Sequence, residues 1–188
     1  MAQDQTTQDD DLFLVDDDGA NESEDKHLLF RLGDEEYGVP IDRVQSIEEL
    51  QRIVAVPDMP HYVRGVINLR GTVIPVVDLR LRFGMPAREY DDRTCIIIIE
   101  ANSRVVGFIV DTVSEVHQIP AGNIQPAPEF RTGNGSEQFV TGLGTVDGEV
   151  KILLEIDRLM RPEDVLNGNL ALGVAQLETA LAGEGAKA

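Results

Sequence analysis

The chain has 188 residues with 42% hydrophobic and 27% charged side chains, the balance of a globular protein, which excludes a wholly disordered chain. Its 34 acids against 16 Lys and Arg give a formal net charge of −18, and no basic run interrupts them, which argues against nucleic acid or anionic membrane as a partner. The apolar runs are far shorter than the ~18 residues of a membrane span, the N-terminus lacks a signal-peptide pattern, and the single cysteine fits a reducing compartment. We therefore expect a cytoplasmic protein, with no direct membrane insertion, that binds another protein.

The N-terminal 25 residues hold the most concentrated charge. They contain ten acids and no base and contribute −10, whereas residues 26 to 161 carry only −5. Outside the apolar island at residues 12 to 15 the segment has few apolar side chains, so it cannot offset its ordering entropy and is predicted to be a disordered acidic arm. The island is either a short docking motif or, more simply, a chance cluster in a solvated arm.

Short strands are predicted after this arm. Apolar side chains alternate at Leu28, Phe30 and Leu32, and continuous β-branched runs follow at residues 73–77 and 96–99. Pairs rich in Gly, Asn and Asp separate the runs and supply turns. The spacing predicts an all-β small barrel or sandwich, with little helix before the C-terminal end.

An internal repeat is the most informative feature of the strand region. The residues from Gly38 to Ile47 align without gaps on those from Gly107 to Val116, 69 residues later, and residues 65–79 align on residues 142–156. The Gly-rich stretch 131–138 accounts for the eight extra residues of the second copy and is predicted to be a loop. One copy is marginal alone, so we expect two copies that bury an apolar face and leave a groove between them. The alternative is chance similarity, against which the matched glycines, prolines and acids argue.

No catalytic or metal-binding pattern is recognisable. His27, His61 and His117 have no Cys or His at metal-ligand spacing, and the glycines of segment 142–148 miss the dinucleotide-loop spacing by one residue. Cys95 precedes four isoleucines and is predicted to be a small buried hydrophobe rather than a nucleophile. We therefore expect no enzyme activity, no metal and no cofactor.

The segment GVINLRGTVIPVVDLRLRF at residues 65–83 resembles the signature of the CheW family of chemotaxis coupling proteins. The similarity spans about residues 26 to 160 and continues in DEEYG at 34–38, RVVGFIVD at 104–111, PAPEF at 126–130 and TGLG at 141–144. It implies two similar five-stranded SH3-like barrels packed together, in agreement with the repeat. The expected organisation is an acidic arm (1–25), a CheW-like unit of two intertwined barrel subdomains (26–160) and a C-terminal helical tail (161–188).

The same resemblance implies a non-enzymatic adaptor, recruited to membrane receptor arrays, that couples transmembrane chemoreceptors to the histidine kinase CheA. Ring-forming contacts within the arrays are a further implied interaction. The alternative is a coupling module of another histidine-kinase pathway, such as surface motility or gene control. Residues expected to contact the receptor's helical tip are Val44, Ile47, Arg64, Gly65 and Arg70. Residues expected to contact the kinase regulatory domain are Pro75, Leu79, Arg80 and Phe83.

Structural alternatives exist for these residues, and for Arg70 the alternative is a solvated turn residue with no partner. Val44 and Ile47 are equally well explained by core packing, since valines occupy the same places in the second copy. Gly65 recurs as Gly142, which favours a backbone role. Arg70 is opposite in charge to its counterpart Asp147, as expected if only one copy holds a basic contact.

The C-terminal tail after Pro162 is Ala- and Leu-rich, and its leucines recur on one helical face, which predicts a short helix docked on a barrel. Only three lysines accompany thirteen arginines in the chain. Few lysines and many acids suit a high-salt cytoplasm, because abundant carboxylates keep a protein solvated there. A halophilic source is therefore a hypothesis, which stability rising from low to molar salt would support.

Overall fold

The computed structural model describes residues 25–128 and 139–160. The first-half elements are strands β1 (Lys26–Leu32), β2 (Glu35–Pro40), β3 (Val44–Glu49), β4 (Val63–Leu69) and β5 (Thr72–Asp78), then helix α1 (Leu79–Arg82). The second-half elements are β6 (Cys95–Ala101), β7 (Arg104–Val110), β8 (Thr112–Gln118), β9 (Ile124–Pro126), β10 (Val140–Val146), β11 (Glu149–Leu154) and α2 (Ile156–Leu159). Short 3-10 helices cover Ile41–Arg43 and Ala121–Asn123. The all-β prediction is confirmed, whereas the predicted acidic arm up to residue 24, the loop at 131–138 and the C-terminal helix lie outside the described residues.

The strands form two sheets that exchange hairpins. Their orders are β8-β1-β2-β11-β10-β9, here called barrel A, and β3-β6-β7-β5-β4, here called barrel B. Barrel A therefore combines the first hairpin, β1 and β2, with second-half strands, and barrel B combines the hairpin β6 and β7 with first-half strands. A parallel pair joins each hairpin to its new barrel, β2 with β11 and β7 with β5.

The strand pairing reproduces the repeat predicted from the sequence. Gly38 pairs with Leu153 where β2 meets β11, and the equivalent Gly107 pairs with Val76 where β7 meets β5. A Cβ atom on Gly38 would lie 2.9 Å from the Leu153 side chain, and one on Gly107 would lie 2.8 Å from that of Ile96. Gly38 thus leaves room for Leu153 at its parallel crossing, and Gly107 leaves room for Ile96 of the neighbouring antiparallel strand β6.

Three apolar clusters form the interior of the protein, and one of them joins the two barrels. The largest is shared by both sheets and includes Leu28, Phe30, Leu32, Ile97, Ile99 and Phe108. Barrel B has its own cluster of Ile67, Ile74, Val76, Ile96, Ile98 and Ile109, and barrel A one of Leu29, Ile119 and Leu153. Successive side chains of a strand point to opposite faces, so the run at residues 96–99 fills the shared core and the interior of barrel B alternately. This explains why every residue of that run is buried.

Arg82 fastens helix α1 of barrel B to barrel A. Its guanidinium carbon lies 4.6 Å from the ring centres of both Tyr62 and Phe139, and its Nε donates to the Leu159 carbonyl at 2.8 Å. Stacking of this kind between cation and aromatic faces is favourable when the group is withdrawn from water. The two barrels therefore keep a fixed relation at this point, beside the shared core.

Candidate protein-binding surface

The outer strands β3 and β8 each expose one large apolar side chain. Ile47 on β3 is 45% exposed, and its repeat equivalent Val116 on β8 is 46% exposed. The preceding apolar residues, Val44 and Val113, are partly buried against the shared core. The structure thus separates the two explanations that the sequence left open, because Val44 packs and Ile47 faces solvent. Val116 was not singled out from the sequence, although its alignment with Ile47 was the signal for it.

Gly65 lies where the backbone at Val54, in the segment before β4, approaches β4 most closely. It has φ +137°, and a Cβ atom there would lie 2.0 Å from the Val54 carbonyl oxygen. Val54 and Val66 exchange backbone hydrogen bonds of 2.8 and 2.9 Å next to this glycine. Gly65 therefore has the backbone role that its recurrence indicated, and any contact it makes with a partner is through its main chain.

Arg64 and Arg70 are exposed at the two ends of β4. The Arg64 guanidinium carbon lies 5.9 Å from the ring centre of Tyr90. Arg70 is in a two-residue turn with φ +52°, followed by Gly71 with φ +87°. The Gly71 N–H donates to Asn68 Oδ1 at 2.8 Å, which fixes the turn and leaves the Arg70 side chain exposed.

The loop beneath Arg64 is held by a buried acid. Tyr90 donates its hydroxyl to Asp78 Oδ2 at 2.8 Å, and the other oxygen of Asp78 accepts the Leu81 N–H at 3.2 Å, capping helix α1. Burial, and then the hydrogen bond to Asp78, raise the pKa of the Tyr90 hydroxyl well above its ordinary value, so it remains a donor at neutral pH. This aromatic platform gives Arg64 a defined place on the surface.

The four residues expected to contact the kinase differ in their surroundings. Leu79 is only 1% exposed and belongs to the shared core, because it opens helix α1 directly above that core. Phe83 is partly buried, with ring centres 5.4 Å from Tyr37 and 5.9 Å from Phe139. Pro75 is partly exposed on β5. The side chain of Leu79 is therefore not available to a partner.

Arg80 is engaged inside the protein. Its Nη1 lies 2.5 Å from Asp111 Oδ2, and its Nε donates to the Pro86 carbonyl at 3.2 Å. The same carboxylate oxygen accepts the Gly33 N–H at 2.8 Å. A charge-assisted pair of this kind holds the loop after α1 against the first hairpin. A partner would meet only the part of Arg80 that this network leaves accessible.

Barrel A carries a separate ionic cluster between β2 and β11. Lys151 is buried and donates to Glu36 and, at 2.7 Å, to Glu149. Hydrogen bonds to Lys151 first, and then those from Ser114 and Arg31, lower the pKa of Glu36 from 4.5 to about 2, against the opposing effect of burial. The pKa of Lys151 is raised by the two carboxylates. The pair is charged at neutral pH, and its partners are already satisfied.

Residues 25–128 and 139–160 contain neither a metal-binding group nor a membrane-spanning helix. No group of three or more His, Cys, Asp and Glu is arranged there to hold a metal ion. No helix in the same ranges has the length and apolar character needed to cross a membrane. Cys95 is a free, partly buried cysteine whose sulfur donates to the Arg93 carbonyl.

A sequence model of the CheW-like domain matches residues 26–164, most of the chain. The chain belongs to the CheW family. It is 39% identical over 138 residues to the chemotaxis protein CheW of Klebsiella aerogenes, covering 73% of this chain and 82% of that protein. It is also 38% identical over 137 residues to CheW of Rhizobium meliloti, covering 73% and 88%.

The crystal structure of the scaffolding protein TtCheW from Thermoanaerobacter tengcongensis has the same fold. Its TM-score with this chain is 0.69 at 34% identity, over 74% of this chain and 94% of that one. The predicted family and the predicted fold of two packed SH3-like barrels are thus confirmed. The chain is a scaffold protein of chemotaxis.

Proposed function

We propose that this CheW protein is a non-enzymatic adaptor that couples the cytoplasmic helical tip of transmembrane chemoreceptors to the regulatory domain of CheA. The observation that carries the proposal is the match of residues 26–164 to the CheW-like domain. Such a protein works on the cytoplasmic side, where membrane receptor arrays recruit it and where ring-forming contacts with its partners extend the array. The working unit is residues 26–160.

The receptor surface comprises Val44, Ile47, Arg64, Gly65 and Arg70. A helical tip presents an apolar stripe, and the exposed Ile47 on an outer strand, backed by the partly buried Val44, offers an apolar contact for it. Arg70 stands on a rigid turn and can hold a Glu or Asp through two parallel hydrogen bonds. Arg64 offers a second cation, and Gly65 contributes its main chain.

The kinase surface is the strand and helix from Pro75 to Phe83. Pro75 and the accessible part of Arg80 form its contact, while Leu79 and Phe83 support it from beneath through the shared core. Because β5 is packed between β7 and β4, this surface is rigid, which lowers the entropic cost of binding.

Reconstitution with receptor and kinase tests the proposal. We expect the protein to raise CheA autophosphorylation when receptor is present. Arg70→Glu should weaken receptor binding about tenfold or more, since it replaces an attraction by a repulsion, with unchanged circular dichroism. Arg104→Glu, an exposed arginine on β7, is the matched control and should bind normally. Unchanged receptor affinity of Arg70→Glu would remove that residue from the surface, and absence of binding to any CheA regulatory domain would overturn the adaptor function.

A further inference from the structure

Barrel B carries an exposed edge that combines one apolar and three basic side chains. Its members, here called the arginine edge, are Arg52, Val54, Arg64 and Arg70, and all are exposed. Val54 is 42% exposed, although its backbone is firmly bonded to Val66 of β4. A single exposed apolar side chain is common on protein surfaces, so the distinctive feature of this edge is its combination with three basic side chains.

The pairing register places the arginines on both sides of Val54. Val54 and Val66 are antiparallel partners. Arg52 precedes Val54 by two residues and so lies toward the Arg70 end of β4, whereas Arg64 precedes Val66 and lies toward the other end. In this order the edge presents Arg64, then Val54, then Arg52 and Arg70, along β4, the outermost strand of its sheet, and the segment bridged to it at Val54.

The arginines of this edge differ in charge balance from most other arginines of the described residues. Five other arginines form ion pairs with acids: Arg31, Arg43, Arg80, Arg88 and Arg93. Within the part of the chain that the structure describes, Arg52, Arg64 and Arg70 have no acidic partner, and the exposed Arg104 of β7 has none either. In a chain of net charge −18, three guanidinium groups without an acidic partner among the described residues are suited, on one edge, to an anionic ligand with an apolar centre.

The chain itself contains a segment of that chemistry. Residues 9–18 read DDDLFLVDDD, four apolar residues between two triplets of aspartate. We propose that this segment, here called the acidic motif, binds the arginine edge of the same molecule. Its apolar residues cover Val54, and its two aspartate triplets pair with Arg64 on one side and with Arg52 and Arg70 on the other.

The tether is long enough for this contact. Eleven residues lead from Val15 to Lys26, where β1 begins, and span up to about 36 Å when extended. A globular unit of this size has a radius of gyration of about 14 Å, so the motif reaches much of its surface. Tethering also provides an effective concentration in the millimolar range, so contacts that are weak between separate molecules are sufficient.

Docking has a consequence that rests on the proposed function. Arg64 and Arg70 belong to the proposed receptor surface, so the acidic motif competes with the receptor tip for the same guanidinium groups. A higher receptor concentration is then needed for binding. Partners without acidic groups to pair with these arginines cannot displace the acidic motif and are disfavoured. The docking itself does not depend on the identity of the partner.

A single fluorophore tests the docking in the full chain. The sequence has no tryptophan, so Phe13→Trp introduces one reporter at the centre of the motif. Under conditions where circular dichroism shows the chain folded, we expect blue-shifted emission and acrylamide quenching at least about threefold weaker than for a synthetic peptide of residues 7–20 with the same substitution. Arg52→Ser or Arg64→Ser in this background should move both readouts toward the peptide values. Arg104→Ser, which removes an exposed arginine elsewhere, should leave them unchanged.

Three results would overturn the proposal. The first is tryptophan emission equal to that of the peptide. The second is an effect of Arg104→Ser on the readouts as large as that of Arg52→Ser. The third is protection of the tryptophan from acrylamide that rises with protein concentration, which would mean binding to a second copy. Addition of a receptor fragment should release the tryptophan. If docking is observed without release, the competition fails and the docking stands. If the receptor does not bind at all, the proposed function fails, and the fluorescence result is unaffected.

Discussion

Barrels A and B share one pairing scheme, but their interiors differ in chemistry. Barrel B is filled by six buried aliphatic side chains, whereas the separate cluster of barrel A has three. Two residues before each parallel crossing, the strands carry equivalent positions. In barrel B these positions are Ile74 and Val105, whereas in barrel A they are Lys151 and Glu36. One barrel is thus closed by apolar packing and the other by a charged pair with satisfied partners.

A second contrast concerns the polar links between the barrels. In the first link, Arg80 of α1 pairs with Asp111 at 2.5 Å. In the second link, Asp157 of α2 pairs with Arg43 at 2.6 Å, and Asp157 is the repeat equivalent of Arg80. The sign of the charge on the helix is reversed, yet each carboxylate also accepts an N–H from a hairpin turn at 2.8 Å.

Together these contrasts indicate what the repeat must retain. The main-chain pairing, the tight glycines and the shared core recur in both copies, because they define the backbone geometry. The chemistry of side chains outside the shared core varies between the copies, because several residue pairs satisfy the same backbone. The arginine edge is one of these differences, because Arg64 and Arg70 align with Thr141 and Asp147 of the second copy.

The largest expected effect is at Gly65 and Gly142, the equivalent glycines of the two copies, which lie at register shifts in strands β4 and β10. Gly65→Ala would bring a Cβ atom 2.0 Å from a backbone oxygen at a positive φ, so it should lower the free energy of unfolding by about 3 to 5 kcal/mol. Its equivalent Gly142→Ala, with the nearest atoms at 2.8 Å, should cost only about 1 to 3 kcal/mol. Urea unfolding of both variants measures the difference, and equal losses would contradict it.

The ionic pair of barrel A can be replaced by the residues of barrel B. Lys151→Ile leaves Glu36 without its main cation in a largely buried place and should cost about 3 kcal/mol. The double variant Glu36→Val with Lys151→Ile copies Val105 and Ile74 and should return to within about 1 kcal/mol of the unchanged chain. Denaturant unfolding tests this. A double variant no more stable than Lys151→Ile would mean that barrel A requires the charges.

Acid should act through the same pair. Glu36 has a pKa of about 2 in the folded chain against an ordinary value of 4.5, so between these pH values the unfolded chain binds the extra proton. Its contribution to stability is complete above pH 4.5 and is lost as the pH falls toward 2. Glu36→Gln should therefore flatten the acid side of the stability profile, measured by urea unfolding at a series of pH values. Parallel profiles for the two proteins would exclude this assignment.

The smallest expected effect concerns the two polar links. Asp111, whose side chain is 10% exposed, pairs with Arg80 and accepts the Gly33 N–H. Asp111→Asn should therefore lower the free energy of unfolding by about 1 to 3 kcal/mol. Asp157, at 40% exposure, is screened by solvent, and Asp157→Asn should cost less than about 1 kcal/mol. Thermal unfolding ranks the two variants. The reverse order would show that the solvent-exposed link is the stronger one.

Much of the fold was predictable because its signals are local. Alternating and continuous apolar runs gave the strands, and paired glycines and acids gave the repeat. The site was predictable only in part. The exposure of Ile47, the burial of Leu79 and the engagement of Arg80 with Asp111 depend on residues distant in the chain, and no spacing rule identifies them. Arg52 and Val54 carried no local signal at all, since a single arginine in a connecting segment has no periodicity.

The sequence by itself determined the strand content, the two copies, the family and the separation of a strongly acidic N-terminal segment from a nearly balanced folded unit. The strand content and the charge separation follow from composition and near neighbours, the two copies from the alignment of distant segments, and the family from the resemblance of several motifs. Only the tertiary structure decided which hairpin joins which barrel, which apolar residues remain exposed and which arginines have no acidic partner in the ranges 25–128 and 139–160. The parallel crossings at Gly38 and Gly107 bring together strands far apart in the chain, and the free energy that selects them is that of the shared core, which forms only when both copies are present.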